Sequence, residues 1–92
     1  MDVKEAVKSA KSYVSDLLAE EGVFNLALEE VEYDDGRDEW NITVGFTRPI
    51  DNPRNTLAAI TGSIPEKRAY RIVKIRDIDQ KVLSVKIREF QH

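Results

Sequence analysis

Apolar residues recur at steps of three and four through residues 3–21, at Val3, Ala6, Val7, Ala10, Tyr13, Val14, Leu17 and Leu18. That spacing lays a single stripe along an α-helix. Lys4, Glu5, Lys8, Lys11, Ser12, Ser15 and Asp16 fill the side turned to water. Asp2 followed by Glu5 has the spacing of a capping-box variant, and Gly22 stands where a left-handed residue ends a helix.

Beyond Gly22 the period changes to two. Phe24, Leu26 and Leu28 alternate with Asn25 and Ala27, and the apolar phase then jumps to Val31 and Tyr33 across Glu29 and Glu30. A phase change inside one strand predicts a β-bulge at those two glutamates. Asp34, Asp35, Gly36 and Arg37 read as a turn, after which Trp40, Ile42, Val44 and Phe46 alternate strictly with Asn41, Thr43, Gly45 and Thr47. This second strand lays its bulk on the helix. Two more strands follow at residues 70–75 and 82–87, joined by a turn at 77–81. Leu83, Val85 and Ile87 are expected to face the helix, with Ser84, Lys86 and Arg88 facing water.

Between the second and third strands lies a connection that holds all three prolines, at 49, 53 and 65, with Asp51, Asn52, Asn55, Gly62 and Ser63. Connections longer than about 12–15 residues are uncommon inside a compact domain. Residues 55–60 could form a turn or two of helix capped by Asn55 or Thr56. The expected architecture is α+β: an N-terminal helix packed on a four-stranded antiparallel sheet, with a long loop between strands 2 and 3, all in one domain over residues 1–92.

Composition narrows the class. Apolar residues make up 41% and charged residues 34%, a balance that suits a globular chain rather than a disordered or membrane-embedded one. No apolar run approaches the ~18 residues that span a bilayer, and charges interrupt the N-terminal stretch where a signal peptide needs apolar residues. With no cysteine in the chain, disulfides, thiolate catalysis and cysteine-based metal sites drop out, and a cytoplasmic location is expected. Charge is segregated: residues 1–40 hold twelve acids against four bases, and residues 66–92 hold eight bases against four acids. Such a division marks either a face for nucleic acid or another acidic partner, or complementary charges on neighbouring strands of one sheet.

The segments Leu28-Glu29-Glu30-Val31-Glu32-Tyr33-Asp34-Asp35-Gly36, Trp40-Asn41-Ile42-Thr43-Val44, Tyr70-Arg71-Ile72-Val73-Lys74-Ile75 and Asp77 through Val85 resemble a PepSY-type domain, and more distantly a cystatin-like one. PepSY domains place a helix before a small antiparallel sheet and often close with an Asp-x-x-Thr-Gly-Glu turn and a Val-Leu-Ser-Val-like strand. Here Gln80 replaces the turn glycine, so a left-handed residue at that point is either strained or absent. The resemblance implies binding or inhibition and carries over no catalytic residues.

The residues offer little for catalysis. His92, the single histidine, ends the chain, where segments commonly fray. No nucleophile elbow, phosphate loop or dinucleotide fingerprint occurs, and the acidic turn of Asp34, Asp35, Asp38 and Glu39 matches no EF-hand pattern. No catalytic residue, metal ligand or cofactor is therefore expected. Carboxylate chemistry by two of Glu29, Glu30, Asp34, Asp35 and Asp38 is the enzymatic alternative. Nucleic-acid binding through Arg71, Lys74, Arg76, Lys86 and Arg88 is a second alternative. The expected role is a small protein-interaction or inhibitory module. Its contact residues lie in the long connection: Arg48, Pro49, Ile50, Arg54, Leu57, Ile60 and Ile64, apolar anchors beside a charged rim. The partner is another protein or, in the mildest form, a second copy meeting at this loop or at a strand edge.

Overall fold

The structure, a computed structural model, describes residues 1–52 and 67–89. Helix α1 spans Val3–Leu17. It starts where the expected cap sits, the Asp2 carboxylate accepting a hydrogen bond from the Glu5 amide at 2.8 Å. The stripe then tightens sooner than its period predicts: Leu18 closes the α-helix, Ala19–Glu21 form a 3₁₀ turn, and Gly22 ends it at φ 63°. Glycine takes that left-handed geometry without a Cβ clash.

Four strands follow, β1 (Phe24–Asp34), β2 (Glu39–Thr47), β3 (Arg68–Arg76) and β4 (Val82–Ile87). They form one sheet in the order β1-β2-β3-β4, antiparallel throughout. The helix on a four-stranded antiparallel sheet is thus the architecture that the alternation predicts. Ala6, Ala10 and Val14 of α1 meet Ile42, Val44 and Phe46 of β2 and Val73 and Ile75 of β3, all fully buried. Alanines at two of the three helix positions let the backbone approach the sheet closely. Each of the larger side chains contributes about 1.5–3 kcal/mol by leaving water.

Two bulges interrupt the pairing of β1 with β2. One lies between Leu28 and Glu30, as the phase jump predicts, and another lies between Phe24 and Ala27, where Asn25 takes φ 54°. The pairing of β3 with β4 also shifts, between Lys74 and Ile75, so that Ile75 stands opposite Val82 while Lys74 stands opposite Ser84. Val85 and Ile87 keep the expected phase, opposite Val73 and Arg71, and only Leu83 departs from it, its place toward the core being taken by Val82. Val82 and Val85 pack on the core, Leu83 is the extra residue of the irregularity, and Ile87 is 70% exposed. At the β3–β4 turn Gln80 holds φ 59°, so the strained alternative for the missing glycine is the one realised.

Candidate functional site

Three of the seven expected contact residues lie at the base of the long connection. Arg48, Pro49 and Ile50 are described, whereas Arg54, Leu57, Ile60 and Ile64 lie outside the described residues, as does the expected helical turn at 55–60. Arg48 is a structural clamp. Its guanidinium donates to Asp51 at 2.8 Å and to Glu21 at 2.9 Å, tying the 3₁₀ turn Pro49–Asp51 to the end of the helical segment. The hydrogen bond from Arg48 holds the Asp51 carboxyl below its ordinary range. Asn52 draws the two flanks of the connection together: its side-chain amide donates to the carbonyls of Arg48 and Lys67, and its carbonyl oxygen accepts from the Lys67 amide at 2.6 Å. Ile50 stands 76% exposed beside this knot.

The bases of β3, β4 and the residues after them do not form one stripe. Val44 pairs with Arg71 in register, which puts Arg71 on the helix side. There its guanidinium lies 5.4 Å from the Phe46 ring centroid and donates to the Tyr70 carbonyl. Burial, and then the nearby Arg48, lower its pKa. On the opposite face Arg88 bridges Glu30 at 3.2 Å and donates to the Thr43 hydroxyl at 2.7 Å. Arg68 reaches Glu29 and donates to Thr47 and to the Asn25 carbonyl, while Lys74 faces Glu39 at 3.7 Å and Arg76 bonds Asp79 at 2.9 Å. Acids of β1 and β2 therefore meet bases from the C-terminal part of the chain, the cross-strand complementarity that the charge segregation allowed.

Asp34 and Asp38 of the β1–β2 turn are spent on the turn itself. Asp34 accepts from the amides of Gly36 and Arg37, and Asp38, at φ 53°, accepts from the Tyr33 hydroxyl at 2.9 Å. That hydrogen bond is the main reason the Tyr33 phenol is pushed up to about 12. Asp77 accepts from the Trp40 indole at 2.9 Å and lies 3.4 Å from the N-terminal ammonium. The indole hydrogen bond, followed by the ammonium charge, lowers its pKa. Among the described residues no group of acids and histidine is arranged to hold a metal ion. No described helix is long and apolar enough to cross a membrane.

An open groove lies on the helix side, where α1 and β1 part. The N-terminus of α1 begins beside Asp77 at the β3–β4 turn, and the far end of the helix leads into β1. The helix therefore crosses the sheet obliquely and leaves a groove of about 730 Å³ along β1. Val3 and Val7 form its helix wall, Leu26 and Leu28 its strand wall. Val3 remains 45% and Leu28 40% exposed, so neither finds full cover within the described residues. Lys4, Lys8 and Lys11 line the same groove, and none of the three forms an ion pair among the described residues.

The period alone assigns Val3 and Val7 to the buried stripe and the lysines to the solvated side. A signal was present. At about 100° per residue, the three lysines fall together on the Val7 flank of the wheel, while Asp2, Glu5 and Asp16 fall on the other flank. What the period could not supply was the crossing angle. Comparison with protein-family models, with curated proteins and with solved structures returns no match for this chain.

Proposed function

We propose that the chain is a small protein-interaction module whose contact surface is the groove between α1 and β1. The observation that carries this reading is the pair of opposed apolar walls, Val3 with Val7 and Leu26 with Leu28, left open along a groove of about 730 Å³. Contiguous exposed apolar surface bordered by charge is the usual mark of an association site. Its open form suits a macromolecular segment better than a small molecule, which needs most of its surface enclosed. Relative to the sequence reading, the class of function is kept and the surface moves from the 48–65 connection to the helix side of β1.

The resemblance to PepSY-type domains supports the same class, since it implies binding or inhibition. No catalytic step and no cofactor belong to this reading, and the cytoplasmic location read from the cysteine-free composition goes with it. Nucleic-acid binding through the C-terminal basic strands is disfavoured because Arg68, Lys74, Arg76 and Arg88 already face carboxylates. Counterion release from a phosphate backbone requires cations free to replace those ions.

Photo-crosslinking tests the surface. A photoreactive phenylalanine analogue at Ser12, in the groove, is expected to give discrete protein adducts in cells of the native host, and Leu28→Asp to abolish them. The same probe at Glu32, on the other side of the sheet, is expected to give none. Equal adducts from both positions, or none from Ser12, would refute the reading.

A further inference from the structure

Resting on that reading, we infer that the groove takes an acidic amphipathic helix from a different protein. Three observations select this occupant. The first is charge: Lys4, Lys8 and Lys11 line the groove without an ion-pair partner among the described residues. Spaced i, i+4 and i+7, they form a ridge about 10 Å long on a rise of about 1.5 Å per residue. A second helix lying alongside α1 presents carboxylates at the same pitch, while its apolar stripe meets Val3, Val7, Leu26 and Leu28.

The second observation concerns the strand wall. β1 is an edge strand, and an added strand is the obvious competitor for this space. Its pairing is broken twice within the stretch that walls the groove, between Phe24 and Ala27 and between Leu28 and Glu30, with Asn25 in the left-handed region. Bulges bend the edge and break the even ladder that an incoming strand would copy. A helix satisfies its own backbone and asks nothing of that edge.

The third observation excludes a second copy of this chain. A symmetric dimer places the same patch on both sides of the interface. The lysine ridges of the two copies would then oppose each other across the interface. Like charges brought together oppose association.

Two synthetic helical peptides sharing one leucine stripe, flanked in one by glutamates and in the other by lysines, test the inference by fluorescence anisotropy and ¹⁵N NMR. The glutamate peptide is expected to bind saturably, more weakly as salt rises, with amide shifts centred on Val7, Leu26 and Leu28. Lys4→Glu, Lys8→Glu and Lys11→Glu together should weaken it by about tenfold or more, the worth of several surface ion pairs. The three Lys→Gln changes should give a smaller loss. All three positions are at the surface, and circular dichroism checks that each variant keeps its fold.

Equal binding of both peptides, no binding, or insensitivity to charge reversal would overturn the inference. So would a concentration-dependent dimer that disappears in the charge-reversal variant, since the groove would then belong to a second copy. Preferential binding of the lysine peptide at the same residues also sinks the acidic helix, yet it leaves the groove as the contact surface. Loss of the Ser12 adducts, by contrast, removes the broader reading as well.

Discussion

The two faces of this sheet exclude water by different means. On the helix side the centre is apolar, with Ile42, Val44, Phe46, Val73 and Ile75 sealed beneath α1. On the other side no helix is present among the described residues, yet Thr43 and Thr47 are as deeply buried as that core, at 1% and 0% exposure. Their cover is made of long charged side chains. Arg88 lies across Thr43 toward Glu30, and Arg68 lies across Thr47 toward Glu29. The aliphatic stems of such residues shield what lies under them while the charged ends stay wet and paired. Gly45 shows how tightly that layer sits, since a Cβ there would come within 2.8 Å of Glu29 Oε1 and 2.9 Å of the Tyr70 ring. The helix side is thus closed at its centre and open at its β1 flank. The opposite side is roofed over its middle strands by a mosaic of ion pairs.

The largest expected contrast comes from truncating one residue under each cover. Phe46→Ala removes a fully buried aromatic beneath α1 and should cost about 3–5 kcal/mol of unfolding free energy, measured by denaturant titration. A loss under about 1 kcal/mol would mean that the helix does not seal this face. On the other side Arg88→Ala uncovers Thr43 and unpairs Glu30, and should cost about 1–2 kcal/mol. Arg88→Met separates the two contributions, because it restores the stem without the charge. If the mosaic is chiefly a roof, methionine recovers most of the loss, and the difference from wild type narrows in high salt. If methionine recovers nothing, the ion pair and the threonine hydrogen bond dominate.

Much of this contrast was legible in the sequence, and the limits have physical causes. The alternation of β2 gave the buried face correctly because its four apolar residues keep one phase from Trp40 to Phe46 with no bulge in the strand. The bulge at Glu29 was legible because one residue of phase shift moves every later side chain to the other face. The irregularity in β4 was not, because Val82, Leu83 and Val85 are all apolar and either phase reads as a strand. Alternation also puts Thr43 and Thr47 on the face turned away from the helix. Nothing local shows that arginines 21 and 45 residues away in sequence fold over them. The groove stayed hidden for the same reason: periodicity identifies which side of a helix is apolar, but not the angle at which it crosses a sheet.

A third measurement separates the faces from the turns that hold them in register. Gln80 holds φ 59° at the β3–β4 turn, a region costing a residue with a Cβ about 1–2 kcal/mol. Gln80→Gly removes that strain at the expense of extra freedom in the unfolded chain. A net gain of about 0.5–1 kcal/mol is expected, seen as a higher denaturation midpoint with an unchanged slope. Because the change touches neither the helix-side core nor the ion-pair mosaic, it should add to the Phe46 and Arg88 effects independently. A loss of stability would show that Gln80 makes a compensating contact in the folded state.

The smallest expected effect lies at the margin where the helix side runs out. Tyr33 stands opposite Trp40 there, ring centroids 4.8 Å apart in an edge-on arrangement, and its hydroxyl donates to Asp38 at 2.9 Å. Ionising the phenol would destroy that donor and set a phenolate against a carboxylate, so the folded protein holds the proton up to about 12. The sign follows from linkage. A folded pKa above the ordinary value of about 10 favours the neutral form, so the contribution to stability is complete below about pH 10 and is lost as pH rises toward 12. Ultraviolet titration should therefore show a late tyrosinate phase near pH 12, with quenching of Trp40 fluorescence over the same range. Tyr33→Phe should abolish the phase. Asp38→Asn should move it down, because the amide still accepts the hydrogen bond but no longer repels the phenolate, and asparagine tolerates the φ of 53° that residue 38 adopts. A late phase unmoved by Asp38→Asn would assign the shift to the hydrogen bond that asparagine retains and would leave no share for the charge of the Asp38 carboxylate.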